Sequence, residues 1–170
     1  MCNHFSRFVA EAWKNRNFSI YIFDLDNTLG HTYPTLINRT ADEMKRLRNI
    51  VPHMRMCALA ANIASSKSRR VFVLTARAYN TQKVTAWWIK ERALINIPQR
   101  HIFLVLSPMQ KIWLLKIAAL FCKRITYIDD LSYNHEQGEV KFYEDCIAAL
   151  PKKIRYIGYK TIKQFNEPAF

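Results

Sequence analysis

Asp24 and Asp26, in the segment Asp24-Leu25-Asp26-Asn27-Thr28, directly follow the apolar run Phe18-Ser19-Ile20-Tyr21-Ile22-Phe23. Carboxylates at i and i+2 at the end of a strand can converge on one metal ion and one phosphoryl group. The competing structural reading is an Asp-rich turn that caps a helix. A second acidic pair, Asp129-Asp130, ends the segment Thr126-Tyr127-Ile128. Adjacent carboxylates at a strand end repel one another unless a cation or a lysine offsets them, so a metal site is the more economical explanation. Two further segments could complete such a centre. Val71-Phe72-Val73-Leu74-Thr75 ends in a hydroxyl and continues into Ala76-Arg77, and Ser107-Pro108-Met109-Gln110-Lys111 places a lysine near the start of a helix.

These side chains need a scaffold that brings strand ends together. The hydrophobic pattern predicts a short amphipathic helix over 5–14 and buried strands over 18–23 and 70–75. Further strands are expected over 101–106, 125–128 and 154–158. Helices are expected over 40–50 and 54–66, interrupted near Pro52, then over 81–94, 109–122 and 140–150. Alternation of strand and helix implies βαβ units: an α/β, three-layer, Rossmann-like parallel sheet with helices on both faces. In such sheets the site lies at the carboxyl ends of the strands, where Asp24, Thr75 and Asp130 all fall.

The order D-x-D-x-T, strand-terminal Thr75, Lys111 and Asp129-Asp130 resembles the motif set of the haloacid dehalogenase (HAD) superfamily, over about residues 20–158. The resemblance implies that Asp24 attacks phosphorus and forms an aspartyl-phosphate. It implies that Asp26 protonates the leaving oxygen and later deprotonates water, a task suited to a carboxyl whose pKa is raised by its neighbours. Mg²⁺ would be held by Asp24, the backbone carbonyl of Asp26 and Asp130, with Asp129 supporting. Thr75 and Lys111 would orient the phosphoryl oxygens, with Lys116 as the alternative lysine. Thr28 would order the loop at the edge of the substrate site. The intervals 28–71 and 77–111 leave no room for a large cap domain, so an open site is expected. Within the superfamily the nearest likeness is to the phosphatase domain of polynucleotide kinase, through Thr75-Ala76-Arg77, Trp87-Trp88 and Ile128-Asp129-Asp130. Arg77 would then bind a substrate phosphate or tie down the local loop. Leu131-Ser132-Tyr133 replaces the arginine frequent in those relatives, and no kinase P-loop is present. Tyr133, Asn134, His135 and Glu136 either line the site or form a solvated loop, and Trp87 and Trp88 read as packing residues before they read as a base-stacking platform.

The composition sets the outer bounds. A chain of 170 residues with 50% hydrophobic residues fits one catalytic domain over 1–170, with a helical extension over 1–17 and a core over 18–160. Cys2, Cys57, Cys122 and Cys146 lie far apart and read as reduced thiols. No secretory or membrane-spanning pattern is evident, which points to a cytoplasmic protein without membrane insertion. The net charge of +13 attracts polyanions. The basic residues are nevertheless scattered along the sequence, and charge alone indicates a field and not a partner. The expected function is a Mg²⁺-dependent phosphomonoesterase acting on a phosphorylated substrate such as a nucleic-acid 3′-phosphate or another large molecule. The alternative is a catalytically silent HAD-like protein that binds an anionic partner. Attack on carbon, as in dehalogenases, is disfavoured because Asp26 and the Asp129-Asp130 pair would then lack a task. The sequence leaves the oligomeric state open.

Overall fold

Strands that are apolar on both faces can be buried only by a sheet covered on both sides, and that is the arrangement of this chain. The computed structural model describes residues 4–37 and 42–167. Along the chain run α1 (His4–Lys14), β1 (Ser19–Phe23), β2 (Gly30–His31), α2 (Pro34–Ile37), α3 (Glu43–Arg48), β3 (Val51–Pro52), α4 (Met54–Ala64), β4 (Arg69–Ala76) and α5 (Gln82–Trp87). There follow β5 (Ile102–Val105), α6 (Pro108–Phe121), β6 (Arg124–Ile128), β7 (Ser132–Tyr133), β8 (Lys141–Phe142), α7 (Glu144–Ala148), β9 (Arg155–Ile157) and α8 (Tyr159–Asn166). Five strands form the central sheet in the order β5-β4-β1-β6-β9, every neighbouring pair parallel. This is the α/β Rossmann-like fold expected from the alternation of elements.

The period of two along each strand divides the core. Val71, Val73 and Phe23 face a layer containing α3, α4, α5 and α8, whereas Phe72, Leu74, Ile20 and Ile22 face α1, α6 and α7. Phe8 of α1 is fully buried and makes edge contacts with Phe72 and Phe103. Within the expected 1–17 extension, α1 is therefore packed into the core by its apolar stripe.

Several elements differ from the sequence expectation. The helix expected over 40–50 runs from Glu43 to Arg48, and residues 40 and 41 lie outside the described residues, as does Cys2. The helix expected over 81–94 is α5 followed by a π-helical stretch over Trp88–Arg92. The buried Trp88 indole donates to the Ile50 carbonyl at 2.9 Å, tying this stretch to the β2–β3 pair. The helix expected over 140–150 is shorter, because Lys141–Phe142 pairs antiparallel with Ser132–Tyr133. That pairing builds a small flap beside the ends of β1 and β6. Finally, α8 was not anticipated; it buries Ile162 against the α4 side of the sheet, and the expected core boundary at residue 160 falls inside it. No helix among the described residues is long and apolar enough to cross a membrane.

Candidate active site

β1 ends at Phe23 and delivers Asp24 to the carboxyl edge of the sheet, where the Asp24 N–H still bonds the Ile128 carbonyl of β6 at 2.9 Å. The chain then turns sharply. Asn27 adopts the left-handed conformation (φ 56°), which its side chain secures by accepting from the Thr32 and Tyr33 amides, both at 3.2 Å. The Asp129-Asp130 pair arrives from β6, and Leu131, also left-handed (φ 43°), reverses the chain while its amide donates to Asp129 Oδ1 at 2.8 Å. Strain at Leu131 of about 1 kcal/mol or more is typical of a non-glycine residue in this region and of functional loops. A cleft of about 580 Å³ opens over these residues.

Lys111 sits in the first turn of α6, whose start is fixed by Pro108 and by Ser107 Oγ accepting from the Gln110 amide at 3.4 Å. From there the buried ammonium reaches Asp24 Oδ1 at 2.7 Å and Asp129 Oδ2 at 2.8 Å. Lys116 is exposed, so of the two candidate lysines it is Lys111 that lies against Asp24 and Asp129. Asp24, Asp129 and Asp130 are all buried and offer oxygens within 4.8 Å of one another. Burial holds the Asp24 carboxyl well above its ordinary range, reinforced by the charge of Asp129 and opposed by Lys111. Burial likewise raises Asp130, against hydrogen bonds from His135 and Ser132. Burial opposes the charge on Lys111, but Asp129 and Asp24 overcome it and raise its pKa.

Asp26 behaves differently from the sequence expectation. Its carboxylate is gripped by the Arg77 fork, Nε to Oδ2 at 2.8 Å and an Nη to Oδ1 at 2.5 Å, and also accepts from Thr32 at 2.8 Å and Thr75 at 3.3 Å. Burial would raise its pKa, yet the Arg77 charge and hydrogen bonds outweigh burial and hold it at about 2. The resemblance implies a raised pKa and a lowered one is found, because Arg77 pairs with the acid. Thr75 likewise touches Asp26, with its side chain fully buried. Thr28 is expected to order the loop at the edge of the substrate site. It is also fully buried, accepting from the Asp130 amide at 3.2 Å and facing Asp130 Oδ1 at 3.4 Å. It orders the two loops against each other and does not face the cleft.

Other residues join the site that the motifs alone did not single out. Tyr127 donates to Asp129 Oδ2, and Tyr156 Oη donates to the Asp129 carbonyl at 3.0 Å. Tyr127 stands two residues before Asp129, which directly follows β6, so the strand's period of two carries both to one face. Ser132 donates to Asp130 and meets His135 Nε2 at 2.7 Å. Tyr133, Asn134, His135 and Glu136, left open between site and solvated loop, line the cleft. Trp87 lies at the surface near Arg48, and Trp88 is core.

The donor set suits a hard divalent cation. Four carboxyl groups, Asp24, Asp26, Asp129 and Asp130, are gathered with the two cations Lys111 and Arg77, and the charged forms of Asp24 and Asp130 are disfavoured there by burial and by Asp129, a cost that a bound cation would relieve. Asp24 Oδ1 is buried and meets Lys111 at an angle that gives it no directed hydrogen bond, so it retains acceptor capacity. All the donors are oxygens, the ligand type preferred by Mg²⁺.

No protein-family model and no curated protein sequence matches the chain. Among solved structures, the fold is similar to that of the class C acid phosphatase from Bacillus anthracis, with a TM-score of 0.50 and 12% identity over 95% of this chain and 80% of that one.

Proposed function

We propose that the chain is a Mg²⁺-dependent phosphomonoesterase that acts through an aspartyl-phosphate on Asp24. The observation that carries this reading is the placement of Asp24: a buried carboxylate at the end of the central strand, 2.7 Å from a buried lysine and clustered with Asp129 and Asp130. A carboxylate so placed can attack phosphorus in line, splitting one displacement into two easier ones. The similarity in fold to an acid phosphatase supports the same class of reaction.

Asp24, Asp130 and the Asp26 carbonyl would hold the ion, with Asp129 positioning Lys111. When bound, Mg²⁺ supplies charge neutralisation that lets an anionic nucleophile approach an anionic ester. Lys111 stands ready to neutralise the phosphoryl oxygens once it is shared between Asp24 and substrate. In the resting site, Asp26 is ionised by its fork with Arg77. A substrate phosphate drawing Arg77 towards itself would release Asp26 to take up a proton from solvent water and pass it to the leaving oxygen. In this reading Arg77 acts first on the acid and then on the ester. The cleft is open and lacks a large cap, which favours esters attached to large molecules, such as nucleic-acid 3′-phosphates.

The test is phosphate release from an aryl phosphate and from a 3′-phosphorylated oligonucleotide, with Mg²⁺ and with chelator, for the wild type and Asp24→Asn. The expected outcome is Mg²⁺-dependent release that falls roughly a thousandfold or more in the variant, the scale of losing a covalent nucleophile. Unchanged release from a folded Asp24→Asn protein would contradict the reading.

A further inference from the structure

The positive charge, scattered in sequence, is concentrated in space. The amino-terminal edge of the sheet, opposite the catalytic cleft, carries a groove of about 570 Å³ lined by Arg69, Lys123, Arg124, Lys153 and Arg155 without a single carboxylate. Arg69 also borders an adjoining groove of about 620 Å³, where Lys14, Arg70 and Arg100 surround the one acid, Glu11. Glu11 is already engaged by Lys14, His101 and Arg100. None of Arg69, Lys123, Arg124, Lys153 and Arg155 makes an ion pair among the described residues, and all five are exposed. By contrast, the catalytic cleft gathers six carboxylates around three Lys and Arg side chains.

Topology makes the cluster. Arg69 and Arg124 stand opposite Ser19 on either side of β1, and Arg155 opens β9 one strand further on. Adjacent strands lie about 4.8 Å apart, so Arg69 and Arg124 stand two strand spacings apart across β1, and Arg155 is on the strand next to Arg124. Like charges this close oppose folding, and the carboxyl-terminal dipoles of the helices that end here offset only part of that cost. An unpaired row of arginines gains most from phosphate oxygens, which match the planar fork.

Aromatic surface is tied to the row, because the amide of Lys123 donates to the carbonyl of Arg16 at 3.2 Å. Trp13, at the end of α1, is 52% exposed, with Arg16 4.4 Å above its ring and Phe121 against its edge. Arg70 stacks over Phe18 at 3.7 Å. A phosphate-binding groove beside an exposed indole is the combination that holds single-stranded nucleic acid: cations follow the backbone and a base stacks on the ring. A membrane surface would need a broad apolar face beside the cations, whereas these are concave grooves with polar walls.

We infer that the amino-terminal edge of the sheet, from Arg69 through Arg124 to Arg155 with Trp13 at its rim, is a binding surface for single-stranded nucleic acid. This surface holds the body of a strand and not its reacting end, because five residues of β1, about 17 Å, separate it from Asp24. The inference stands apart from the phosphatase reading, because it concerns binding without turnover.

Fluorescence anisotropy with a labelled 20-nucleotide single strand, the same sequence as a duplex, and anionic phospholipid vesicles tests it, using the full chain in chelator so that no hydrolysis occurs. Single-strand binding should weaken with salt with a slope of log K on log [salt] of about −2 to −3, corresponding to three or four phosphates. Arg69→Gln/Arg124→Gln/Arg155→Gln should lower affinity about tenfold or more and flatten that slope, with far-ultraviolet circular dichroism and aryl-phosphate hydrolysis unchanged. Trp13→Ala should weaken the single strand more than the duplex. Equal single-strand binding by the triple variant overturns the inference, as does binding to vesicles in preference to the oligonucleotide, or no oligonucleotide binding at low salt. A failure of phosphatase activity alone leaves these binding results readable.

Discussion

Arg77 and Asp26 are 51 residues apart and meet as a fork on a carboxylate. Motif spacing could nominate each residue but could not pair them, because the pairing depends on β4 lying beside β1. Asp24 and Lys111 were more legible, since each sits where its own element must end or begin. The fork has a pH signature. Its folded-state pKa of about 2 lies below the ordinary value of 3.8, so the interaction stabilises the fold fully above about pH 5 and is lost as the pH falls from about 4 to 2. Arg77→Ala is therefore expected to cost about 1–2 kcal/mol at neutral pH, after allowance for the partial exposure of Asp26. Thermal melts at several pH values should show the gap between wild type and variant closing towards pH 2. A gap independent of pH would mean that Arg77 acts by packing alone. The variant should also lose activity, since Asp26 and the substrate both lose their partner.

Lys111 depends on the start of α6, where Ser107 is the N-cap and Pro108 occupies the first turn. Ser107→Ala should cost about 1 kcal/mol by loss of the cap. Because Lys111 is also held by Asp24 and Asp129, aryl-phosphate turnover should fall less than tenfold, a difference of under about 1.4 kcal/mol in barrier. A loss of turnover far beyond the loss of stability would show that the cap, and not the ion pairs, positions the lysine. The strands were legible because their apolar runs end abruptly at Asp24, Thr75 and Asp129. α8 was not: it buries only Ile162, follows Gly158 without a side-chain cap, and carries lysines on its open face. The length of α7 was also misread, since nothing local shows that Lys141–Phe142 would pair with Ser132–Tyr133.

Over the whole molecule, the two ends of the parallel sheet carry opposite charge. Carboxylates converge at the carboxyl edge and arginines at the amino edge, although neither cluster is contiguous in sequence. The fold class was readable from the alternation of strand and helix, and the acidic end from motifs at strand ends. The basic end was not, because strand-initial residues such as Arg69, Arg124 and Arg155 become neighbours only through the order β4-β1-β6-β9. The central claim concerns the acidic end: a phosphoryl group passes through Asp24. The most direct measurement is to mix the protein with an aryl phosphate and Mg²⁺, quench with acid within one turnover, and locate the phosphoryl group by peptide mass spectrometry. The account predicts an acid-stable, hydroxylamine-sensitive acyl phosphate on the peptide bearing Asp24, absent from Asp24→Asn. Turnover with Asp24 unmodified at every quench time, and retained in Asp24→Asn, would contradict it.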